Sequence, residues 1–181
     1  KLKEIYEKSK FCQSFMLNEI FNTKIKPENW SVNSDGIEVG TLIVDDEQYL
    51  IKFEPFTYPS GDKIYNGINL AFSKIDENGE ESEALTLTNK SASKVLGAIY
   101  NASLEKLKDY KFDAIIFIAV DHIEQRMRIY NWIAHRMMQH FVKYSFKSSL
   151  KIPNGEMSIV YRRGEFSDDL IKQLEMQAAS K

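Results

Sequence analysis

The sequence predicts an α+β domain: a mixed, mostly antiparallel sheet with helices on both faces. Three observations carry that prediction. Between residues 36 and 75, β-branched and aromatic runs alternate with turn clusters, as consecutive hairpin strands do. From Phe112 to Phe141 a wholly apolar strand runs straight into an amphipathic helix. Near the end, Pro153-Asn154-Gly155 separates two more strand-like runs, which is a hairpin signal.

Taken in order, Leu2 to Phe21 places Ile5, Tyr6, Phe11, Phe15, Met16 and Ile20 at loosely helical spacing, so one helix or two short ones are expected in an N-terminal segment of residues 1–29. Gly36–Val44, Tyr49–Phe56 and Ile64–Ile75 read as three strands. Their turns are Asp45-Asp46-Glu47 and Pro59-Ser60-Gly61-Asp62, and Asp76-Glu77-Asn78-Gly79 closes the third. From Ser91 to Lys108 the positions Leu96, Tyr100, Leu104 and Leu107 restore helical spacing, with Ser91 or Ser93 available as N-cap. Ala114–Val120 has no polar residue and is short for a helix, so it reads as a central strand covered on both faces. After it, Met127, Tyr130, Ala134, Met137 and Phe141 recur at three- and four-residue steps, which puts them on one helical face. Tyr144–Ile152 and Met157–Arg162 form the final hairpin, and Asp168–Ala179 a short helix in a tail of residues 164–181.

A chain of 181 residues, 43% hydrophobic and 12% aromatic, suits one domain with a sizeable core, and residues 1–181 are read as a single unit. The lone Cys12 allows no intrachain disulfide, so a reducing compartment and a cytoplasmic location are expected. No apolar run approaches the length of a membrane span and no secretion leader opens at Lys1, so no membrane partner is expected. The absence of an initiator methionine at that position points to trimming or a chosen boundary.

The net charge of −2 hides an asymmetry. Residues 1–89 carry 9 Lys/Arg against 16 Asp/Glu, a net of −7, while residues 122–163 carry 8 against 2, a net of +6. Arg126, Arg128, Arg136, Lys143, Lys147, Lys151, Arg162 and Arg163 form either a basic patch for a phosphate-bearing or acidic partner or the outer faces of one helix and two strands that neutralise the acidic half. Overall acidity argues against a broad phosphate-tracking surface, which makes nucleic acid a less favoured partner than a protein.

The order helix, three antiparallel strands, helix, strand, helix and hairpin resembles the GNAT fold of the N-acetyltransferases, over most of the chain. One local pattern adds to it. GNAT proteins often carry Asn-x-x-Ala-x-x-aliphatic-Tyr where the strand after the main helix gives way to the next helix, and Ile129-Tyr130 fits its end. Ile123 stands where Asn is expected and Arg126 where Ala is. The family's acyl-CoA loop, Arg/Gln-x-x-Gly-x-Gly/Ala, has its nearest counterpart in Thr88-Asn89-Lys90-Ser91-Ala92-Ser93, which has no glycine and has Thr88 in place of the Arg or Gln.

The resemblance implies acetyl-CoA as cofactor if the chain is an enzyme, with Thr88, Lys90, Ser91 and Ser93 at its pyrophosphate; glycines normally let backbone N–H groups and the helix dipole reach that anion. Serines at a helix start serve equally as caps. The resemblance also implies Tyr130 as general acid to the departing thiolate, and a splay between the strand Tyr65–Ile75 and the strand ending at Val120 where the ligand lies. Tyr130 also sits on an apolar stripe, where a tyrosine can be a core residue with a bonded hydroxyl. Glu54 follows an apolar strand run and Asp121 ends one, and these are the carboxylates placed to act as base.

Other chemistries lack their signatures. His122, His135 and His140 are spaced thirteen and five apart, off any common helical face, so no metal is expected. No nucleophile sits in a Gly-x-Ser-x-Gly turn. Asn69-Leu70-Ala71-Phe72-Ser73-Lys74-Ile75, the DAIIFIA strand, and Arg126 with Tyr130 also resemble small proteins of tailed bacteriophages. Two functions follow as expectations, with a nucleic-acid-binding protein using the basic 122–163 region as a third. The first is a phage-type, non-catalytic GNAT-like module that binds a host factor or virion component through Arg126 and Arg128. The second is an N-acyltransferase with a divergent CoA loop.

Overall fold

The computed structural model describes residues 25–60, 62–82, 89–109, 112–152, 154–164, 171–173 and 176. The helix expected within Leu2–Phe21 lies outside the described residues, as does most of the tail beyond Gly164. Ten elements follow in order: β1 Glu28–Val32, β2 Glu38–Val44, β3 Glu47–Ser60, β4 Lys63–Ile75, β5 Glu81–Ser82, α1 Asn89–Asp109, β6 Ala114–Ala119, α2 Ile123–Met137, β7 Tyr144–Ile152 and β8 Gly155–Arg162. The strands make one mixed sheet in the order β1-β2-β3-β4-β6-β8-β7, with β5 added to β4. Only β4 and β6 are parallel; every other described pairing is antiparallel.

Local chemistry explains the long central hairpins. Asp45 and Asp46 both take positive φ, 51° and 66°, so the two-residue loop between β2 and β3 has the left-handed backbone that matches strand twist. β3 then runs to Ser60, past the expected end at Phe56 and through Pro55 and Pro59. Pairing with β2 stops at Phe53, so among the described residues that edge of β3 has no ladder beyond it for a proline to interrupt. Two strands carried no sequence signal. All five residues of β1 are exposed, so Glu28–Val32 lacks the alternation that burial imposes, and its first two residues fall in the segment 1–29 for which the sequence predicts helix. β5 is only two residues long. α1 begins at Asn89, which puts Ser91 and Ser93 inside the helix and not at its cap.

The two helices share one face of the sheet. Val95, Ala98 and Ile99 of α1 join Met127, Tyr130 and Ile133 of α2 in one buried cluster with Leu42, Ile51, Leu70, Phe72, Ile115 and Phe117. Strand side chains alternate, so Tyr58, Ala114, Ile116, Met157 and Ile159 form a second cluster on the opposite face. Residues 171–173 are helical, and the Tyr58 hydroxyl of that second cluster donates to Gln173 Oε1 at 2.6 Å. Ser158, fully buried on β8, donates to Asn131 Oδ1 of α2 at 2.6 Å, which fixes the helix against the strand without leaving a polar group unmet.

Candidate functional site

The parallel seam between β4 and β6 is short. Only Gly67, Ile68 and Asn69 of β4 are registered against Ala114, Ile115 and Ile116. Just before this ladder Asp113 ties three strands together. Its N–H donates to the Asn66 carbonyl at 2.7 Å, its Oδ2 accepts from the Asn66 N–H at 2.9 Å, and its carbonyl accepts from the Arg162 N–H at 2.9 Å. Beyond Asn69 and Ile116 the strands part. The freed edge of β4 is taken up again at Lys74 and Ile75 by β5.

Among the described residues no strand pairs with β4 on that edge between those two registers, and a buried carbonyl without a donor is costly. Arg126 supplies one: its Nη2 donates to the Phe72 carbonyl at 2.9 Å and to the Tyr130 hydroxyl, also at 2.9 Å. Arg126 is only 3% exposed and Tyr130 not at all. The guanidinium carbon lies 5.5 Å from the centre of the Phe72 ring and 5.6 Å from that of Tyr130. The Tyr130 ring in turn meets Phe72 edge-on at 5.6 Å and Phe117 at 5.4 Å. A cation in a core is tolerated only when hydrogen-bonded and set against polarisable faces, and both conditions hold here.

Sequence spacing accounts for the pairing, since positions 126 and 130 stack on one helical face. α2 is aimed by a sharp entry. His122 precedes it in the left-handed region, at φ 48° and ψ 40°, with no side-chain cap, and its carbonyl accepts the first helical bond, from the Arg126 N–H at 3.0 Å. The chain therefore turns from β6 into the helix within Val120–His122 and lays Arg126 back over the seam.

The other residues singled out from the sequence scatter. Glu54 is half-buried and accepts from Asn69 Nδ2 at 2.7 Å. It follows Phe53, which belongs to the helix-side cluster, so alternation puts Glu54 on the opposite face from Tyr130. An acid and a base on opposite faces of a sheet cannot serve one reacting centre. Asp121 is exposed. Thr88 lies outside the described residues, and so do the side chains of Lys90, Ser91 and Ser93, whose backbone belongs to the first turns of α1.

Arg126 and Arg128, grouped as one partner-binding pair, part company, because two residues along a helix turn roughly 200°: Arg126 enters the core and Arg128 is exposed. Arg128 lines an open groove of about 670 Å³ with Leu96, His122, Ile123, Glu124 and Gln125. The basic patch also divides. Arg163 Nε donates to the Tyr144 carbonyl at 2.8 Å, Arg162 Nη2 to the Phe112 carbonyl at 3.1 Å, and Lys151 pairs with Glu156.

The acidic half is held by lysines close to it. Lys74 Nζ meets Glu47 Oε1 at 2.5 Å, Lys52 meets Glu81 at 2.6 Å, and Lys94 meets Asp45 at 2.5 Å. The bond from Lys74, helped by one from the Tyr49 hydroxyl, holds the Glu47 carboxyl below its usual range. Burial pushes Glu81 up, but bonds from Lys52 and Ser73 outweigh it and the group also sits low. Tyr49 is pushed far up by burial, reinforced by its bond to Glu47. These groups form a polar collar at the β5 end of β4, which individual residue types did not reveal.

Comparison of the chain with protein-family models, with characterised proteins and with solved structures finds no match. Among the described residues, no helix is long and apolar enough to cross a membrane.

Proposed function

We propose that this chain is a GNAT-like scaffold used as a non-catalytic binding module, of the phage type its sequence resembles, with a host or virion protein as partner. The scaffold reading is supported by the sheet order and, among the described strands, by a single parallel pair registered over three residues. The observation that carries the non-catalytic part is Tyr130. A general acid must reach the atom it protonates, whereas this hydroxyl is wholly buried and accepts a bond from Arg126. Glu54 lies across the sheet from it, which leaves the expected acid without that base.

An acyltransferase with a divergent CoA loop is the second reading, favoured by the groove beside Leu96 and Arg128, which is roomy enough for part of a cofactor. Acetyl-CoA separates the two. A ligand that binds only the folded state must raise the melting temperature by mass action, so the module shows no shift at millimolar acetyl-CoA, and a clear shift overturns it. For partner binding, Arg128→Glu weakens association and flattens its salt dependence, while Tyr130→Phe leaves both unchanged. A turnover loss confined to Tyr130→Phe would instead establish the enzyme.

A further inference from the structure

We propose that the end of the sheet at which β7 begins and β8 finishes binds the phosphodiester backbone of a nucleic acid, through Lys143 and Arg163. The proposal goes beyond the protein partner named above and does not depend on it.

Topology sorts charge to opposite ends of the sheet. Tyr49 is registered against Lys74, so the β2–β3 turn at Asp45 and Asp46 shares an end with Asp76 and Glu77, which follow β4. β6 is parallel to β4, and β8 runs against β6 and β7 against β8, so Arg162 and Lys143 fall at the other end. There α2 also finishes, with Arg136 in its last turn. The net charge of the chain therefore says little about this surface, because a polyanion responds to the local field of the end it meets.

At that end two cations are held against their own repulsion. Tyr144 is registered against Arg162, and one step further the Arg163 N–H donates to the Lys143 carbonyl at 2.8 Å, so Lys143 and Arg163 stand directly opposite each other. Both are exposed. Like charges in that position, with Cβ atoms roughly 5 Å apart, destabilise the pairing. The backbone keeps them together nonetheless, and the Nε bond from Arg163 to the Tyr144 carbonyl, at 2.8 Å, fixes the guanidinium further. Arg162 beside them is spent on the fold: it donates to the Phe112 carbonyl and lies 3.5 Å from the Asp113 carboxylate. An anionic oxygen between Lys143 and Arg163 turns their repulsion into attraction, and an anchored guanidinium presents the planar fork that suits phosphate. A nucleic-acid strand repeats that anion at fixed intervals, so Arg136 at the end of α2 adds to the field along it, whereas carboxylates on a folded protein keep no such repeat.

The test follows the anisotropy of a short fluorescein-labelled DNA duplex titrated with the protein at several salt concentrations. Wild type is expected to bind with a dissociation constant on the order of 10–100 µM at about 50 mM salt. Lys143→Glu and Arg163→Glu each weaken binding and lower the slope of log K against log salt by about 1. Lys94→Glu makes the same change in net charge at the acidic end, where Lys94 pairs with Asp45, and leaves the slope as it is. If Arg163→Glu, which loses the bond to Tyr144, does not fold, Lys143→Glu on its exposed side chain carries the comparison. Silence of wild type at that salt, or an equal loss in Lys94→Glu and Lys143→Glu, overturns the site. Displacement of the duplex by polyglutamate at equal charge concentration also overturns it and assigns the surface to an acidic protein.

Discussion

The two halves of the β4–β6 seam solve the same problem in opposite ways. In the first, Gly67–Asn69 face Ala114–Ile116 in a backbone ladder, and Asp113 clamps its start to Asn66 and Arg162. In the second, the strands diverge and side chains replace backbone: Arg126 takes the Phe72 carbonyl while Phe72, Tyr130 and Phe117 close ranks around it. A ladder is indifferent to side-chain identity, whereas the second half depends on four particular residues.

The sharpest way to break the comparison is to charge the open half. Phe117→Asp buries a carboxylate among apolar rings and is expected to cost about 5 kcal/mol, enough to abolish folding. A soluble, cooperatively melting variant would show that β6 is not central. Ile116→Asp, on the opposite face where some solvent access remains, costs less, and the order of the two melting temperatures checks the assignment of faces.

Asp113→Ala attacks the laddered half alone. It removes the side-chain acceptor of the Asn66 N–H and should cost roughly 2 kcal/mol. The loss shows in hydrogen exchange as faster amides at Ile115 and Ile116, with the α2 amides around Tyr130 unchanged. Uniform acceleration through both regions would mean that the halves unfold as one unit.

In the open half the counterpart is Tyr130→Phe, which deletes one acceptor for Arg126 and should destabilise by about 1 kcal/mol. A loss several times larger in chemical denaturation would mean that the hydroxyl anchors the guanidinium unaided.

The smallest effect belongs to the collar where β5 rejoins β4. The folded-state pKa values of Glu47 and Glu81 lie below their ordinary 4.5. The folded protein therefore binds fewer protons than the unfolded chain in that range. Their stabilisation is present in full above 4.5 and is lost as pH falls through the lowered folded values. Both carboxylates are more than a third exposed, so the contribution is screened and stays under about 1 kcal/mol. Glu47→Gln should flatten the acid limb of the stability curve, and an unchanged limb would exclude this pair from it.

What the sequence determined by itself is the periodic part of the protein. The apolar run at Ala114 marked a buried strand because no polar residue interrupts it, and the hairpins at 36–75 and 144–162 were legible because turn residues punctuate alternating runs. The stripe Met127, Tyr130, Ala134 and Met137 identified the buried face of α2 for the same reason. β1 left no trace, since a strand exposed along its whole length bears no pattern.

The tertiary structure alone decided which residues share a space. Glu54 and Tyr130 were candidates for one centre until strand alternation put the sheet between them. Arg126 and Arg128 looked equivalent as cations, and helical geometry sent one into the core and the other to the surface. Composition and spacing report what each residue prefers on average, and an arginine on average prefers water. Only the diverging edge of β4, with a carbonyl to satisfy and aromatic faces to shelter a guanidinium, made the interior the better place for Arg126. That edge takes its place in the core because β6, distant in sequence, is laid beside β4.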